Sequence, residues 1–433
     1  MSILSNVMGQ YNTKLDNTAI EDFPRYDFAT RIKPQVRWLT PVTWLLSYPD
    51  VWKHKVKIHR DPRLKDIKPP YLLICNHNSF TDFKVMTAAI FPHRANYVVA
   101  LDGFIGREWL MRKVGCIAKR KFVNDVQIIR QTQHLLSKGQ IVTYYPEARY
   151  SLIGTPSELP ESFGKMAKYF NVPVVSLIMN GHHIDEPAWN QKSRGVPLEA
   201  SFSLVLDKDD LARLSPDEID HRLAEAMHYD DFAWQRENQI EVHTPDRAEG
   251  LHRVLYQCPQ CKTEYRMTSQ GARLSCQACG ATWEMNPLGV LHALEGDTIF
   301  CHPPDWYEWQ RENVRAEIEA GTYCLECEAL IDSLPNADGF VQMGKGTLKH
   351  DMNGFVLCGT HNGKPFEVRR DVIENYAIHI EYNYIDKKMD CVDISTIDDT
   401  YFVYPTAHDV SVTKISLATE ELYKRHKRNL KQT

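Results

Sequence analysis

Between residues 71 and 206 the chain alternates short apolar runs with amphipathic stretches. The apolar runs are YLLIC, ANYVVA, QIVTYY and VPVVSLIM, and stretches such as DVQIIRQTQHLLSKG between them place apolar residues at helical spacing. This rhythm predicts an α/β fold, a mixed sheet flanked by helices, with its functional loops at the strand ends. A capping box at Ser215 and Glu218 predicts one more helix, after which we expect the unit to end near Tyr229.

From about residue 322 the pattern is typical of short β-strands. Turn signals at Asn353-Gly354 and Asn362-Gly363 separate them, and the amphipathic run LATEELYKRHKRNLK predicts a closing helix. Seven strands followed by one helix resemble a pleckstrin-homology-like (PH-like) barrel in number and order of elements. The strand candidates lie around Cys324, Val341, Phe355, Phe366, Ile378, Cys391 and Phe402.

The segment 254–285 contains few aliphatic residues and two closely spaced cysteine pairs, each of the form Cys-x-x-Cys. Two such turns bring four thiolates together in the closed tetrahedral arrangement of a structural zinc site, which leaves no position open for catalysis. We therefore expect a zinc ribbon, and we do not expect a nucleic-acid partner, because the segment is only mildly basic and lacks interleaved aromatic residues. The predicted ligands are Cys258, Cys261, Cys276 and Cys279. Cys324, Cys327, Cys358 and His361 form a second candidate set, which alternating positions on β-strands explain equally well.

These patterns predict four regions. They are an N-terminal helical or interfacial segment at 1–60, an α/β domain at 61–230, linker helices with the ribbon at 231–320, and a β-rich domain with its closing helix at 321–433.

Composition narrows the functional classes. The chain has 433 residues and a formal charge of -5, from 51 basic and 56 acidic side chains, so an anion-binding surface has to be local. No apolar run reaches the ~18–20 residues of a membrane-crossing helix, and the N-terminus lacks the layout of a secretory signal. We therefore expect a cytoplasmic chain whose eleven cysteines stay reduced.

The clearest chemical motif is NHNSFTD, which directly follows the strand YLLIC. His77 and Asp82 are five residues apart, so on one helix they would point about 140° away from each other, and they can meet only where the chain turns. A strand-loop-helix junction provides that turn. Taken alone, Ser79 and Asp82 also fit an ordinary helix cap.

The motif resembles the Asn-His-x4-Asp block of the PlsC-like glycerolipid acyltransferases, which include the 1-acylglycerol-3-phosphate O-acyltransferases. Three further segments resemble later blocks of that family in the same order: VGCIAKRKF, YYPEARYS and NVPVVSLIMNG. Together the four cover roughly residues 60–210. The third block departs from the family pattern, because Ala148 replaces its Gly, Arg149 its Thr and Tyr150 its Arg.

The resemblance implies roles for individual residues. His77 would be the general base, and Asp82 would fix its tautomer and stabilise the imidazolium. Arg120 or Lys121 would take the place of the Arg in the family's second block, and with Arg149 they would bind a phosphate, while Glu147 would hold acceptor hydroxyls. We also expect Asn76 to belong to the substrate-binding set.

A glycerolipid acceptor lies in a bilayer, so the enzyme has to reach a membrane surface. The segment VRWLTPVTWLLSYPDVWKHKVKIHR combines three tryptophans with leucines and a basic end, which is typical of an interfacial segment and also of a helix packed on a core. We expect peripheral association with the inner face of the membrane.

The predicted activity is therefore transfer of a fatty acyl group from a thioester of CoA or of acyl carrier protein to the hydroxyl of a lysophospholipid. The acceptor expected from the resemblance is 1-acylglycerol 3-phosphate. The alternative is a non-catalytic lipid-binding or scaffold protein with a degenerate acyltransferase domain. A zinc-ribbon nucleic-acid factor would instead show salt-sensitive binding to RNA or DNA.

Overall fold

The computed structural model describes residues 13–14, 18–160, 162–384 and 387–432, so Glu161 and most of the first seventeen residues of the predicted N-terminal segment lie outside it. The first part of the chain contains, in order, β1 (Thr13–Lys14), α1 (Thr40–Lys53), β2 (Lys57–Arg60), β3 (Tyr71–Cys75), α2 (Asp82–Ala89), β4 (Ala95–Ala100), α3 (Glu108–Val114), β5 (Ile117–Lys119), α4 (Val126–Ser137), β6 (Ile141–Tyr144), α5 (Phe163–Phe170), β7 (Val174–Asn180), α6 (His182–Asp185), β8 (Glu199–Leu206), α7 (Lys208–Arg213), α8 (Pro216–Ala226) and α9 (Asp231–Glu237).

Strands β2 to β8 form one sheet in the order β2-β8-β7-β3-β6-β4-β5. Neighbours are parallel except β7 and β8, which are antiparallel, so the predicted mixed sheet is confirmed. Every residue of β3 is buried: Leu72 and Ile74 belong to a core shared with α4 and α5, whereas Leu73 and Cys75 belong to a core shared with α2. Alternate residues therefore serve opposite faces, as the period of two requires.

A second, small antiparallel sheet contains the predicted ribbon. Its strands, in the spatial order β12-β11-β10-β9, are β9 (Met267–Gln270), β10 (Arg273–Cys276), β11 (Thr282–Met285) and β12 (Leu291–Ala293), and α10 (Pro303–Glu319) follows. Trp283 of β11 packs edge-on against Trp306 of α10, with ring centroids 4.9 Å apart. This helix covers the apolar face of a sheet too small to bury it alone.

The third sheet contains seven strands from the predicted β-rich region. They are β13 (Cys324–Ser333), β14 (Phe340–Asp351), β15 (Gly354–His361), β16 (Lys364–Asp371), β17 (His379–Tyr384), β18 (Met389–Ser395) and β19 (Thr400–Pro405), followed by α11 (Val412–Gln432). Their order is β16-β15-β14-β13-β19-β18-β17, and β1 pairs with β14. Six of the seven predicted positions lie inside strands, and Ile378 immediately precedes β17. We call β13–β19 with α11 the C-terminal β domain; its likeness to a PH-like barrel stays a prediction.

The element bounds differ slightly from the predicted regions. Strand β2 begins at Lys57, before the expected start of the α/β domain at residue 61, and α9 continues to Glu237. The short strand β2 pairs in parallel with β8, which explains why the sheet takes in residues from the segment assigned to the N-terminal region.

Candidate active site

Polar residues from several loops meet at one edge of the large sheet. The loops that follow β3, β6 and β7 are neighbours, because these strands are adjacent and parallel. Parallel strands end at the same edge, which is where open α/β sheets bind ligands. NHNSFTD follows β3, the third block follows β6, and His182 follows β7.

The structure brings His77 and Asp82 together. Strand β3 ends at Cys75 and α2 begins at Asp82, so the chain turns between them, and the His77 Nδ1 atom lies 2.8 Å from Asp82 Oδ2. The same carboxylate accepts hydrogen bonds from the backbone N–H groups of Asn78 and Ser79, at 2.7 and 3.1 Å. Asp82 is therefore held by its own loop while it orients the histidine.

A second histidine, which sequence reasoning missed, binds the other oxygen of this carboxylate. His182 Nδ1 lies 2.6 Å from Asp82 Oδ1, and the His182 ring is fully buried. Burial alone would raise the pKa of Asp82, but hydrogen bonds from His182 and His77 lower it below the ordinary range. The signal was available, because His182 closely follows the strand next to β3.

Two tyrosines enclose the His77 ring. Tyr145 stacks on it with ring centroids 4.2 Å apart, and Tyr150 lies against it at 4.4 Å. The His77 side chain is 26% exposed, so the imidazole remains accessible. Tyr150 occupies the position where the family pattern has arginine, and an aromatic ring next to His77 thus replaces a cation.

Asn76 connects strands. Its side-chain amide donates to the Met179 carbonyl and its oxygen accepts from the Met179 N–H, both at 2.8 Å, so it fastens the end of β3 to β7. Glu147 is also fully buried; its carboxylate accepts from the Ser157 N–H at 2.9 Å, and Tyr229 lies at 3.4 Å. Burial raises the pKa of Glu147 to about 7.

The structure does not leave Arg149 and Arg120 open to a ligand beside His77. The Arg149 guanidinium is buried and forms an ion pair with Glu420 of α11, and it donates to the Ile378 carbonyl at 3.0 Å. The Arg120 guanidinium donates to backbone carbonyls of the C-terminal β domain, namely Leu334, Pro335 and Asp398, each at 2.8 Å. Both predicted phosphate-binding arginines bind protein groups instead.

Lys121 lies between carboxylates of two domains. Its ammonium is 4.0 Å from Asp102, in the short 3-10 helix after β4, and 3.9 Å from Asp393 of β18. Burial would lower the pKa of Lys121, but the charges of Asp102 and Asp393 raise it. The two nearby groups of β17, His379 and Glu381, are hydrogen-bonded to each other at 2.7 Å.

The four ribbon cysteines converge. Their sulfur atoms all lie within 4.8 Å of one another, and two of the Sγ–Sγ distances, Cys258–Cys279 and Cys261–Cys276, are 3.8 Å. Four thiolates at about 2.3 Å from a zinc ion would be separated by about 3.8 Å in a tetrahedron, so the residues fit that metal. Among the residues that the structure describes, the second candidate set around Cys324 forms no such cluster.

An apolar surface lies next to the NHNSFTD loop. Leu45 and Trp52 of α1 are 75% and 72% exposed, and Phe80 of the NHNSFTD loop and Phe91 after α2 are about half exposed. Trp44 of α1 packs against Phe91, with ring centroids 4.7 Å apart. None of the helices in the described part of the chain has the length and hydropathy needed to cross a membrane.

Comparison with known proteins finds a family match for most of the large sheet. Residues 55–180 match the model of the family described as Acyltransferase. On this match we call residues 55–180 the acyltransferase domain. A structural search finds the crystal structure of the 1-acyl-sn-glycerophosphate (LPA) acyltransferase PlsC from Thermotoga maritima, with 14% identity and a TM-score of 0.33 over 44% of this chain and 78% of that one. No curated protein sequence matches the chain.

Residues 55–180 include His77 and Asp82. They also include Arg120, Lys121 and Arg149, which we call the three cation positions. His182 lies just beyond the match. Most groups that bind Arg120 and Arg149 come from the C-terminal β domain, whereas Lys121 lies between Asp102, which follows β4, and Asp393 of β18. The acyltransferase domain thus receives part of its site from outside its own boundaries.

Proposed function

We propose that this chain is an O-acyltransferase that moves a fatty acyl group from a thioester of CoA or acyl carrier protein to a hydroxyl of a glycerolipid. The observation that carries the proposal is the 2.8 Å contact between His77 and Asp82 inside the acyltransferase domain. The acceptor 1-acylglycerol 3-phosphate follows from the resemblance alone, and it is one of the compounds to be tested.

The chemistry follows from this contact. With Nδ1 bound to Asp82, the other ring nitrogen of His77 takes the proton of the acceptor hydroxyl as its oxygen attacks the thioester carbonyl. The C–S bond then breaks, an ester forms, and His77 returns the proton to the leaving thiolate. Asp82 stabilises the transient imidazolium, and the enzyme contributes further by holding two bound reactants together.

The direct test is thiol release and ester formation from a long-chain acyl-CoA in the presence of glycerolipid alcohols. We expect His77→Ala to lower kcat/KM by about 10³-fold, within the usual range for a general base. His221→Ala is the matched control, since His221 is 77% exposed on α8 and should behave like the wild type. Wild-type protein without transfer to any acceptor would favour the non-catalytic scaffold instead.

We further propose that the apolar surface formed by Leu45, Trp52, Phe80 and Phe91 docks on the cytoplasmic face of a membrane. It adjoins the loop that carries His77, and the exposed residues Lys53, Lys55 and Lys57 add positive charge for anionic lipid. Trp52→Asp should reduce sedimentation with vesicles containing anionic phospholipid by about tenfold. Leu294→Asp, which changes a half-exposed leucine just after β12, should sediment unchanged; equal losses in both variants would reject this surface.

We propose that Cys258, Cys261, Cys276 and Cys279 hold a structural zinc ion. The ion would tie together a ribbon whose strands are only three or four residues long. Purified protein should contain about one zinc per chain by elemental analysis, and Cys276→Ser should lose it. Cys301→Ser, which changes an exposed cysteine outside the cluster, should keep it.

A further inference from the structure

The three cation positions are all bound by the C-terminal β domain or shared with it. Arg149 pairs with Glu420 and also donates to Ser416 Oγ at 2.7 Å. Arg120 has four acceptors in that domain, three carbonyls and the Thr400 hydroxyl at 3.0 Å. These are the residues that the family resemblance makes candidates for holding a phosphate.

Recruiting either arginine for a phosphate would disrupt the interior. Arg149, Arg120 and Glu420 are all buried, and removing one member of a buried ion pair leaves an uncompensated charge. Arg120 would also leave three backbone carbonyls without their donor. The two arginines are therefore structural in this chain.

What remains accessible near His77 is mostly acidic. The side chains of Lys121, Asp102 and Glu381 are each 16–17% exposed, in contrast to the fully buried Asp393. Glu381 belongs to the same cluster as Lys121: it is hydrogen-bonded to His379 at 2.7 Å, His379 lies 3.8 Å from Asp393, and Asp393 lies 3.9 Å from the Lys121 ammonium. The charges of Glu381 and His77 interact, and those of Glu381 and Asp102 act on Tyr150, whose ring packs on His77 with centroids 4.4 Å apart. One ammonium thus faces two carboxylates, and a phosphate placed there would meet net repulsion.

We propose that the acceptor whose hydroxyl His77 deprotonates carries no anionic group at this end. Its headgroup donates hydrogen bonds to the Asp102 and Glu381 carboxylates. It is either an uncharged polyol or a cationic amino alcohol. The inference rests on the proposed acyl transfer and adds the acceptor class. Glu381 is then a specificity-determining residue that the C-terminal β domain contributes to the site.

The test compares three acceptors that differ in headgroup charge: 1-acylglycerol 3-phosphate, 1-acylglycerol, and a long-chain amino alcohol. We expect kcat/KM for the uncharged or the cationic acceptor to exceed that for the phosphate by at least tenfold. A preference for the phosphate, lost in His77→Ala, would overturn this inference while supporting acyl transfer. If no acceptor is acylated, the proposed function fails and the inference fails with it.

A pair of variants tests the residues. Glu381→Gln and, in the other domain, Asp102→Asn should each move the ratio of kcat/KM values toward the phosphate acceptor by about tenfold, because a carboxylate is replaced by a neutral amide. Glu367→Gln on the exposed face of β16 is the matched control and should leave the ratio unchanged. If the ratio is unchanged in both test variants while their thermal unfolding stays normal, the assignment of Glu381 and Asp102 is rejected. It is also rejected if the phosphate acceptor is acylated once anionic vesicles are added, although it was not acylated in their absence.

Discussion

The two sides of the site are held in different ways. On one side, Asp82 is fixed by its own loop and by His182 of α6, which follows the neighbouring strand β7 of the same sheet. On the other side, Arg120 and Arg149 have most of their partners in the C-terminal β domain, in bonds that span 214 to 280 residues of sequence, and Lys121 lies between Asp102 and Asp393. The Asp82 side of the site is therefore held within one sheet and its loops, whereas the cation positions are part of a junction between two domains.

The largest expected effect comes from breaking that junction. Glu420→Gln leaves the Arg149 and Arg311 guanidinium groups without their common carboxylate in the interior. We expect a loss of about 3–5 kcal/mol in the free energy of unfolding, measured by urea denaturation. Glu319→Gln removes a half-exposed pair with Arg428 and should cost less than about 1 kcal/mol. Similar losses of unfolding free energy in the two variants would show that the buried Glu420 pairs stabilise the protein no more than a surface ion pair does.

The next prediction concerns pH. Burial raises the pKa of Glu147 from 4.5 to about 7, so between these values the folded protein holds a proton that the unfolded chain has lost. This contribution to stability is present below about pH 4.5 and is lost as the pH rises to 7, a fall of about 3 kcal/mol. Glu147→Gln should remove that fall in unfolding experiments from pH 5 to 7.5. The exposed Glu295→Gln should retain it; a retained fall in Glu147→Gln would contradict the assignment.

The third prediction concerns His182, which binds Asp82 within the large sheet, and its expected effect is smaller. His182→Phe removes a donor to Asp82 without opening the surface, and we expect kcat/KM to fall by about tenfold, or about 1.4 kcal/mol. Because Asp82 would no longer share its charge with His182, the acidic limb of the pH profile should shift to higher pH. His182→Gln, which restores a donor, should recover most of the activity. A loss without the pH shift or the recovery would mean that His182 serves packing only.

The smallest effect lies in the third block, between the two sides. Ala148 has a φ of +53°, a conformation in which an L side chain is strained and which glycine adopts freely. Ala148→Gly should therefore raise the free energy of unfolding by about 0.5–1 kcal/mol. Ala233→Gly, at an ordinary helical position in α9, should lower it by about as much. Destabilisation in both variants would refute the strain.

Features encoded over a few residues could be predicted from the sequence. The capping box of Ser215 and Glu218 forms at the start of α8, and the turn between Cys75 and Asp82 brings His77 to its carboxylate. The family pattern also identified the third block. At Ala148 the structure explains the glycine that this pattern contains, since the backbone there requires a positive φ.

What the sequence did not reveal depends on distant partners. Nothing around Arg149 indicates that Glu420 will bind it, since the two are brought together only when α11 packs on the rest of the molecule. For the same reason, a local sequence pattern could not distinguish an arginine that binds a ligand from an arginine whose partners lie in another domain. The position of His182 near Asp82 could have been predicted, because adjacent parallel strands place the loops that follow them side by side.

The pairing of Arg149 with Glu420 also bears on how the chain is made. During synthesis the acyltransferase domain leaves the ribosome long before residue 420, and until then two of its inward-facing guanidinium groups have no permanent acceptors. A nascent chain stopped before the last helix would have to keep those groups hydrated, with its hydrophobic interior partly open. The interior around Arg149 is therefore complete only after α11 has been synthesised and has packed against the acyltransferase domain.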